Sequence, residues 1–276
     1  MIERKSKRLN PVIASVFSTA LIAISPASAA TINSFSDWQI NSSDLSSGNS
    51  AVTYITEDQH ADFLDPGYGG QDYDAEAIYT TWDSNYLYIG VMTGREQNPN
   101  DGWAPGDIAI DIGSNSNYEF GVVTSSATAD NAATAGIGLA GDLYAVSSWN
   151  NGIWDAAGNY VGANSPLVDT DHPTSVASGT LIGAATSFSY DSIGTGYGNW
   201  AADEHYFISA VIDLNLLGGA NFMDDGFSLH WVANCNNDWL QLDVPASSVP
   251  IPAPLMLLMA GLLGLIASGR ARKNSA

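Results

Sequence analysis

The pattern that most constrains the fold of this chain is an alternation of apolar and polar residues with a period of two. It is clearest in residues 107–112, where Ile108, Ile110 and Ile112 share one face and Asp107 and Asp111 share the other. Side chains point to opposite faces at successive positions only in an extended strand. The same pattern recurs in residues 86–92 and 227–235, whereas residues 205–213 are apolar on both faces, as expected of a central strand that is covered on each side. The sequence therefore predicts strands at these places.

Helical periodicity is nearly absent, and only Leu214–Leu217 has room for a turn or two of helix. Weaker strand patterns occur in residues 118–124, 143–149 and 179–190. Turn residues separate the apolar runs, at Pro66-Gly67, Gly69-Gly70, Asn100-Asp101-Gly102, Pro105-Gly106 and Asn236-Asn237-Asp238. Many short strands joined by such turns are typical of sandwiches. We expect one all-β domain over residues 31–248, an antiparallel β-sandwich of jelly-roll-like type with an irregular lead-in at residues 31–50 anchored by Phe35 and Trp38.

The first 30 residues have the three parts of a secretory signal peptide in order. An uncharged stretch covers residues 11–24, and Ala27-Ser28-Ala29 supplies the small residues that signal peptidases require. The basic residues that precede this stretch are Arg4, Lys5, Lys7 and Arg8. The sequence predicts a signal helix over residues 1–30, cleaved after Ala29 or Ala30. The alternative is a buried N-terminal helix.

The last 28 residues, 249–276, are equally organised. A proline motif, Val249-Pro250-Ile251-Pro252-Ala253-Pro254, leads into the uncharged residues 255–267. Counted from Ile251, the apolar stretch gives a helix of roughly 25 Å, at the short limit for a bilayer core of about 30 Å. The cluster Arg270, Arg272 and Lys273 follows and would stay in the cytoplasm, with the preceding domain across the membrane. The tail is thus predicted to be a transmembrane helix. A plain tail anchor remains an alternative, whereas a lipid-anchor signal normally ends without basic residues.

These terminal residues resemble the PEP-CTERM sorting signal of Gram-negative bacteria. The resemblance covers Val249 to about Lys273 and rests on the proline motif, the short Leu- and Gly-rich helix and the basic end. Ile251 occupies the place of the glutamate in the family motif, a substitution by a hydrophobic residue that the family also contains. The resemblance implies processing by an exosortase, a membrane protease thought to remove the tail.

Charge divides the chain into three parts. Of the 29 acidic residues, 28 lie between residues 31 and 249, where Arg95 is the only lysine or arginine. A domain with one base cannot neutralise a phosphate backbone, so nucleic-acid binding is excluded. The excess of carboxylates keeps a protein soluble, repels anionic surfaces and attracts divalent cations. A generic acidic exported protein explains the charge equally well.

The sequence contains one cysteine and none of the standard catalytic motifs. Cys235 is the only cysteine, which excludes an intramolecular disulfide, and its place on the apolar face of residues 227–235 predicts a buried thiol beside Trp231. The standard hydrolase, zinc-protease, P-loop and dinucleotide-binding motifs are missing. None of the four histidines has a second ligand at metal spacing; they are His60, His172, His205 and His230. A pair of glycosidase carboxylates is recognised by the distance between them in space, which the sequence does not give. A glycoside hydrolase therefore remains an alternative.

The body of the chain resembles a second group of proteins. The residues concerned are the acidic stretch 72–78, Trp82-Asp83, Tyr86-Leu87-Tyr88-Ile89, residues 107–111, residues 118–121, and residues 206–213 with Leu216-Leu217-Gly218. Together they are similar to the family-nine carbohydrate-binding modules and DOMON-like sandwiches, and the resemblance covers most of residues 50–244. The stretch through Trp231 and Cys235-Asn236-Asn237-Asp238 is similar to the last strand of many exosortase-sorted proteins. The resemblance implies bound calcium and a sugar-binding face. Trp103, in a Gly/Pro/Asp loop, is the candidate for sugar stacking, although tryptophans more often pack in cores.

Two stretches offer the oxygen ligands that Ca²⁺ requires. Asp72, Asp74 and Glu76 recur at every second residue, so a strand would project all three carboxylates from one face. The second stretch has the Asp/Asn/Gly character of a cation-binding loop and contains Asp111, Asn115, Asn117 and Glu119. The alternative for both is a solvated acidic face screened by salt.

The sequence leaves three functions open. The first is a non-catalytic surface or extracellular-matrix protein that is anchored in the membrane before its tail is removed. The second is a carbohydrate-binding module at the cell envelope, with extracellular polysaccharide as its partner. The third is a hydrolase, for which no motif provides support.

Overall fold

The computed structural model of the chain describes residues 31–57, 70–126, 135–163, 165–219, 222, 224–236 and 238–246. These residues form β-strands and short 3₁₀ turns and contain no α-helix, so the all-β class is confirmed for this part of the chain. None of the helical turns described is long and apolar enough to cross a membrane. The predicted signal helix and sorting tail, Val249 to Lys273 included, lie outside the described residues.

Eleven strands are described. In chain order they are β1 (Thr53–Thr56), β2 (Ala75–Trp82), β3 (Tyr86–Thr93), β4 (Ile108–Ile112), β5 (Phe120–Val122), β6 (Asp142–Asn150), β7 (Ser175–Ala184), β8 (Ser187–Gly194), β9 (His205–Asp213), β10 (Phe227–Val232) and β11 (Trp239–Val244). The 3₁₀ turns are Phe35–Trp38, Gln71–Tyr73 and Leu214–Leu217.

The strands form two antiparallel sheets. The five-stranded sheet has the order β1-β2-β3-β9-β8, and the six-stranded sheet has the order β11-β10-β4-β5-β6-β7. Apolar residues stand opposite one another across the ladders, as in the pairs Leu87 with Ile212 and Leu229 with Ile110. The chain changes sheet between β3 and β4, between β7 and β8, and between β9 and β10. Strands β3 and β9 pair in the five-stranded sheet. The strands that follow each of them in the chain, β4 and β10, pair in the six-stranded sheet.

The main core lies between the two sheets and contains the residues that the alternation predicts. The side chains of Ile89 and Ile208 from one sheet and of Ile110 and Leu229 from the other are fully buried in it. Burial of one such side chain stabilises the fold by about 1.5–3 kcal/mol. Period two therefore identifies the core face of these strands correctly.

A second core covers the outer face of the five-stranded sheet. Residues 31–52 cross this face, and Trp38 is fully buried there with its ring centroid 5.9 Å from that of Phe207. Gly90 makes the close approach possible, because a Cβ atom at this position would lie 2.5 Å from Cζ of Phe207. The predicted lead-in anchored by Phe35 and Trp38 is confirmed. It contains the turn Phe35–Trp38 and one isolated bridge between Ile40 and Ser47.

Two predicted strands end differently in the structure. The weak pattern at residues 179–190 belongs to two strands, β7 and β8, which a turn at residues 185–186 separates. The strand predicted for residues 227–235 ends at Val232, because Asn236 turns back with a positive φ of 59° and donates its N–H to the carbonyl of Ala233. Alternation alone does not show where such a turn begins.

Cys235 therefore lies beyond the strand. It is buried, as predicted, but it packs in a separate apolar cluster with Ile153, Trp154 and Ala233, whereas Trp231 belongs to the main core. Cys235 is 2 % exposed, which is too little for a reagent to reach its thiol without local opening.

We expect native Cys235 to react slowly with a small thiol reagent and rapidly in denaturant, since reaction requires the cluster around it to open. Labelling is followed by mass spectrometry. An Ile153→Ala variant loosens this cluster without touching the main core and serves as the comparison, with faster labelling expected. Rapid stoichiometric labelling of the native wild type would contradict the buried position.

Candidate functional site

Four acidic side chains come together where the ends of the two sheets meet. Glu57 directly follows β1, Asp74 directly precedes β2, Glu76 lies within β2, and Asp238 directly precedes β11. Two hydrogen bonds hold the segments together: the N–H of Glu57 donates to the carbonyl of Glu76 at 2.8 Å, and the N–H of Ala75 donates to Oδ2 of Asp238 at 2.7 Å. We call these four residues the buried acidic cluster.

The backbone before β2 places Asp74 in this cluster. The turn Gln71–Tyr73 closes when the N–H of Asp74 donates to the carbonyl of Gln71, and the carbonyl of Asp74 accepts from Gly94 at 3.1 Å and from the hydroxyl of Thr93 at 2.5 Å. A Cβ atom on Gly94 would lie 1.7 Å from the carbonyl oxygen of Gln71. Glycine is therefore required at position 94 for the turn to pack against the end of β3.

The carboxylate oxygens of three members lie close together. One oxygen each of Glu57, Asp74 and Asp238 lies within 4.8 Å of the other two. Asp74 is 0 % and Asp238 is 1 % exposed, whereas Glu57 is partly exposed. Neither carboxylate oxygen of Asp74 has a hydrogen-bond donor, and Oε1 of the buried Gln71 has none either. Such oxygens are rare in protein interiors, because leaving an acceptor buried and unsatisfied costs about 1–3 kcal/mol.

Burial and mutual repulsion change the titration of this cluster. Burial, as the largest cause, together with the charges of Asp238 and Glu76 raises the pKa of Asp74 to about 10. A proton shared between Asp74 and Asp238 or a bound cation would relieve the same repulsion.

Glu76 has a different environment from the other three carboxylates. Its Oε1 accepts from the side-chain amide of Gln71 and lies 3.1 Å from Nε2 of His205, which is fully buried. Burial lowers the pKa of His205, but the hydrogen bond and charge of Glu76 outweigh that effect, so the net shift is upward. The imidazolium and carboxylate thus partly neutralise each other within the sandwich.

The predicted set Asp72, Asp74 and Glu76 is only partly brought together. Asp74 and Glu76 join the cluster, whereas Asp72 lies in the turn Gln71–Tyr73 and lines an open cleft of about 510 Å³ with Glu96, Asp101, Glu204 and other residues. The helical turn and a bulge between Ala75 and Ala77 break the regular alternation on which the predicted common face depended. Sequence reasoning missed Glu57 and Asp238 as members, because neither the pairing of β1 with β2 nor the contact between β11 and β2 across the two sheets leaves a local signal in the sequence.

The second predicted calcium stretch forms the connection between β4 and β5. The carboxylate of Asp111 accepts from the backbone N–H groups of Asn115 at 3.0 Å and Ser116 at 2.5 Å. Glu119 accepts from the N–H of Ile112 at 2.9 Å, and the side chain of Asn117 is exposed. These carboxylates close a tight turn through hydrogen bonds that need no cation.

Trp103, the predicted stacking residue, lies against Arg95. The guanidinium of Arg95 donates from Nε to the carbonyl of Trp103 at 2.8 Å, pairs with the carboxylate of Asp101, and lies 4.5 Å from the ring centre of Tyr73. The indole of Trp103 is partly buried against the cluster that contains Cys235. None of the eight tryptophans, all of which are described, is exposed. The indole of Trp103 is therefore only partly available for stacking on a ligand.

A groove on the outer face of the five-stranded sheet offers different aromatic groups. It has a volume of about 570 Å³ and lies between the start of the described chain and strands β3, β8 and β9. Tyr86 and Tyr88 contribute aromatic rings. Hydroxyl groups, one amide and one carboxylate form the polar lining, from Thr31, Ser34, Thr186, Ser187, Ser189, Ser209, Asn33 and Asp191. Aromatic rings beside polar groups are the usual lining of a site for a small polar ligand.

Comparisons with known proteins add no assignment to this geometry. No protein-family model matches the chain, and no curated protein matches it. The resemblances drawn from the sequence motifs stay resemblances, and a function has to be argued from the residues themselves.

We expect Arg95→Lys to lower the free energy of unfolding by about 1–3 kcal/mol, because lysine cannot replace the planar donor set that reaches Asp101, Trp103 and Asp72 together. Asp101→Asn, which keeps an acceptor at a partly exposed position, should cost less than about 1 kcal/mol. Urea denaturation measures both. Equal losses in the two variants would show that the ion pair, rather than the backbone contacts of Arg95, matters most.

Proposed function

We propose that this chain is an exported, non-catalytic surface or extracellular-matrix protein whose C-terminal tail sorts it at the membrane. The observation that carries the proposal is the order of a signal-like start, an acidic domain and a basic-ended apolar tail in one sequence. We further propose that the sandwich is jelly-roll-like, which the succession of the pairs β3–β9 and β4–β10 supports.

The charge of the domain supports a site of action outside the cell. Arg95, its only lysine or arginine, is 2 % exposed, so the surface between residues 31 and 249 presents carboxylates and no such base. A surface of this kind resists aggregation and is repelled by anionic lipids and nucleic acids. It also suits media that are rich in salt and divalent cations, which screen the repulsion within about 8 Å at physiological ionic strength.

The two termini support export across the inner membrane and sorting by the tail. A cleaved signal peptide over residues 1–30 takes the chain across the inner membrane, and residues 249–276 hold it there as a short transmembrane helix until an exosortase-type protease removes the tail. The protein then remains at the cell surface or enters extracellular polysaccharide. The membrane is thus a partner before processing only.

The histidines of the described chain support a non-catalytic role. His205 is buried against Glu76, and His230 is fully buried with its ring 5.3 Å from that of His172 and 6.1 Å from that of Trp239. Burial lowers the pKa of His230 well below its ordinary value, and the neighbouring His172 lowers it further. The rings of His205 and His230 pack inside the domain, where a substrate does not reach them, whereas the side chain of His172 is 16 % exposed. His60 lies outside the described residues.

We expect protein recovered from the culture medium to lack both the signal peptide and the tail, since each carries its own processing signal. Intact mass spectrometry measures the two new ends. A Pro250→Ala/Pro252→Ala variant, which keeps the apolar helix and the basic end, should stay in the membrane fraction with its tail attached. Released protein that still contains residues 255–276 would falsify exosortase-type sorting.

A carbohydrate-binding function is the second candidate, and the groove beside Tyr86 favours it. A sugar ring presents an apolar face for stacking and a rim of hydroxyl groups for hydrogen bonds, and the groove supplies a tyrosine ring beside several hydroxyls. The carboxylate excess of the domain repels acidic polysaccharides. The groove therefore fits an uncharged glycan.

We expect Tyr86→Ala to weaken binding of a soluble neutral polysaccharide at least tenfold in affinity gel electrophoresis, because the stacking surface is lost. Tyr54→Ala is the matched control: Tyr54 is 38 % exposed on β1 and does not line the groove. Equal retardation of wild type and Tyr86→Ala, or no retardation of wild type by any neutral polysaccharide tested, would contradict this function.

A further inference from the structure

The buried acidic cluster has the composition of a site for a divalent cation. We propose that Glu57, Asp74 and Asp238 together bind one calcium ion, which joins the ends of β1, β2 and β11. This proposal concerns the folded domain alone and does not rest on the proposed export.

Asp74 provides the observation that points to a ligand. Its side chain is 0 % exposed, both its carboxylate oxygens lack a hydrogen-bond donor, and one of them is directed at the oxygens of Glu57 and Asp238. The other buried aspartates Asp107 and Asp111 differ, because backbone N–H groups donate to both of their oxygens. The side-chain partner of Asp74 is the carboxyl group of Asp238, itself an acceptor, and a cation between the two carboxylates replaces the proton that such a pair would otherwise share.

The donor set selects calcium among common cations. All three groups are carboxylates, the hard ligands that Ca²⁺ and Mg²⁺ prefer, whereas zinc sites usually contain histidine or cysteine. No pair of the three oxygens is more than 4.8 Å apart. Three oxygens this close can share one Ca²⁺, since each Ca–O distance is about 2.4 Å, and Ca²⁺ accepts irregular coordination by side chains from separate segments, whereas Mg²⁺ requires near-ideal octahedral geometry. The neutral oxygen Oε1 of Gln71, which has no donor, and water can complete the coordination.

The charge of the region also calls for a cation. His205 is paired with Glu76, and the guanidinium of Arg95 is occupied by Asp101 and the carbonyls of Trp103 and Asp72. The sequence between residues 31 and 249 contains no other lysine or arginine. Calcium supplies two positive charges where three carboxylate oxygens meet.

Calcium bound at these positions stabilises the whole domain. Glu57 and Asp238 are 181 positions apart in the chain, so the three carboxylates meet only when β1 and β11 are both in place. An ion that binds only the folded state raises its stability by mass action. A dissociation constant of about 0.1 mM lies within the range of extracellular calcium modules.

The test is a set of thermal unfolding curves of the purified full-length chain in detergent, at fixed ionic strength. With 10 mM CaCl₂ we expect a midpoint about 5–10 °C higher than with chelator. MgCl₂ at the same concentration should give less than half of this shift. Titration calorimetry should find one calcium ion per chain. An unchanged midpoint, or an equal shift with magnesium, would overturn the proposal.

Neutralising variants separate a ligand from a structural residue. In chelator, Asp74→Asn should fold as the wild type does, since the amide has nearly the same shape as the carboxyl group, but it should lose most of the calcium shift. Asp238→Asn, whose side-chain oxygen can still accept from Ala75, should lose the shift as well. Asp224→Asn removes an exposed charge elsewhere and should keep the full shift.

A further variant locates the ion. If Asp111→Asn abolishes the calcium shift while Asp74→Asn retains it, the ion lies in the β4–β5 connection and the proposed site is wrong. Retention of the shift in Asp111→Asn together with its loss in Asp74→Asn supports the cluster.

Discussion

Between residues 31 and 249 the chain has 28 acidic residues and a single lysine or arginine, the buried Arg95. This imbalance of charge determines how the sandwich is built. Ion pairs with lysine or arginine, the usual way to hold an acidic side chain, are open to few of these residues. Each remaining carboxylate is solvated, accepts hydrogen bonds from backbone amides, shares a proton or contacts a cation. The choice among these solutions differs from place to place and decides which acidic residues are structural.

Backbone amides solve the problem for several aspartates. Asp107 accepts from the N–H groups of Thr124 and Val176 and so fixes the end of β5 and the start of β7 beside β4. At the surface, hydrogen bonds from the backbone N–H and side-chain amide of Asn159 lower the pKa of Asp155. Carboxylates that accept such hydrogen bonds are stabilised in their ionised form, so a metal ion would add little further stabilisation. The β4–β5 connection around Asp111 belongs to the same class.

Much of the fold could be predicted from sequence, because burial between two sheets depends on local alternation. Ile108 and Ile110 face the core as their spacing indicates, and β9 has the predicted bounds. Asp107 and Asp111 do lie opposite the core, as alternation indicates, but loops and neighbouring strands bury them to 3 % and 2 % exposure. Alternation describes the direction of a side chain within one strand. It contains no information about what covers the outer face of the sheet.

The candidate site lies beyond local reasoning for a related reason. Spacing at every second residue placed Asp72 beside Asp74, but a 3₁₀ turn and a bulge redirect them, and Asp238 comes from the far end of the chain to take that place. Contacts of such long sequence separation form only after the loop between them has closed at an entropic cost. The cluster is consequently a property of the complete sandwich. In the unfolded chain its carboxylates separate and their repulsion vanishes, so the apo domain alone bears that unfavourable energy. A ligand that relieves it acts on global unfolding, because opening either β1 or β11 disassembles the cluster.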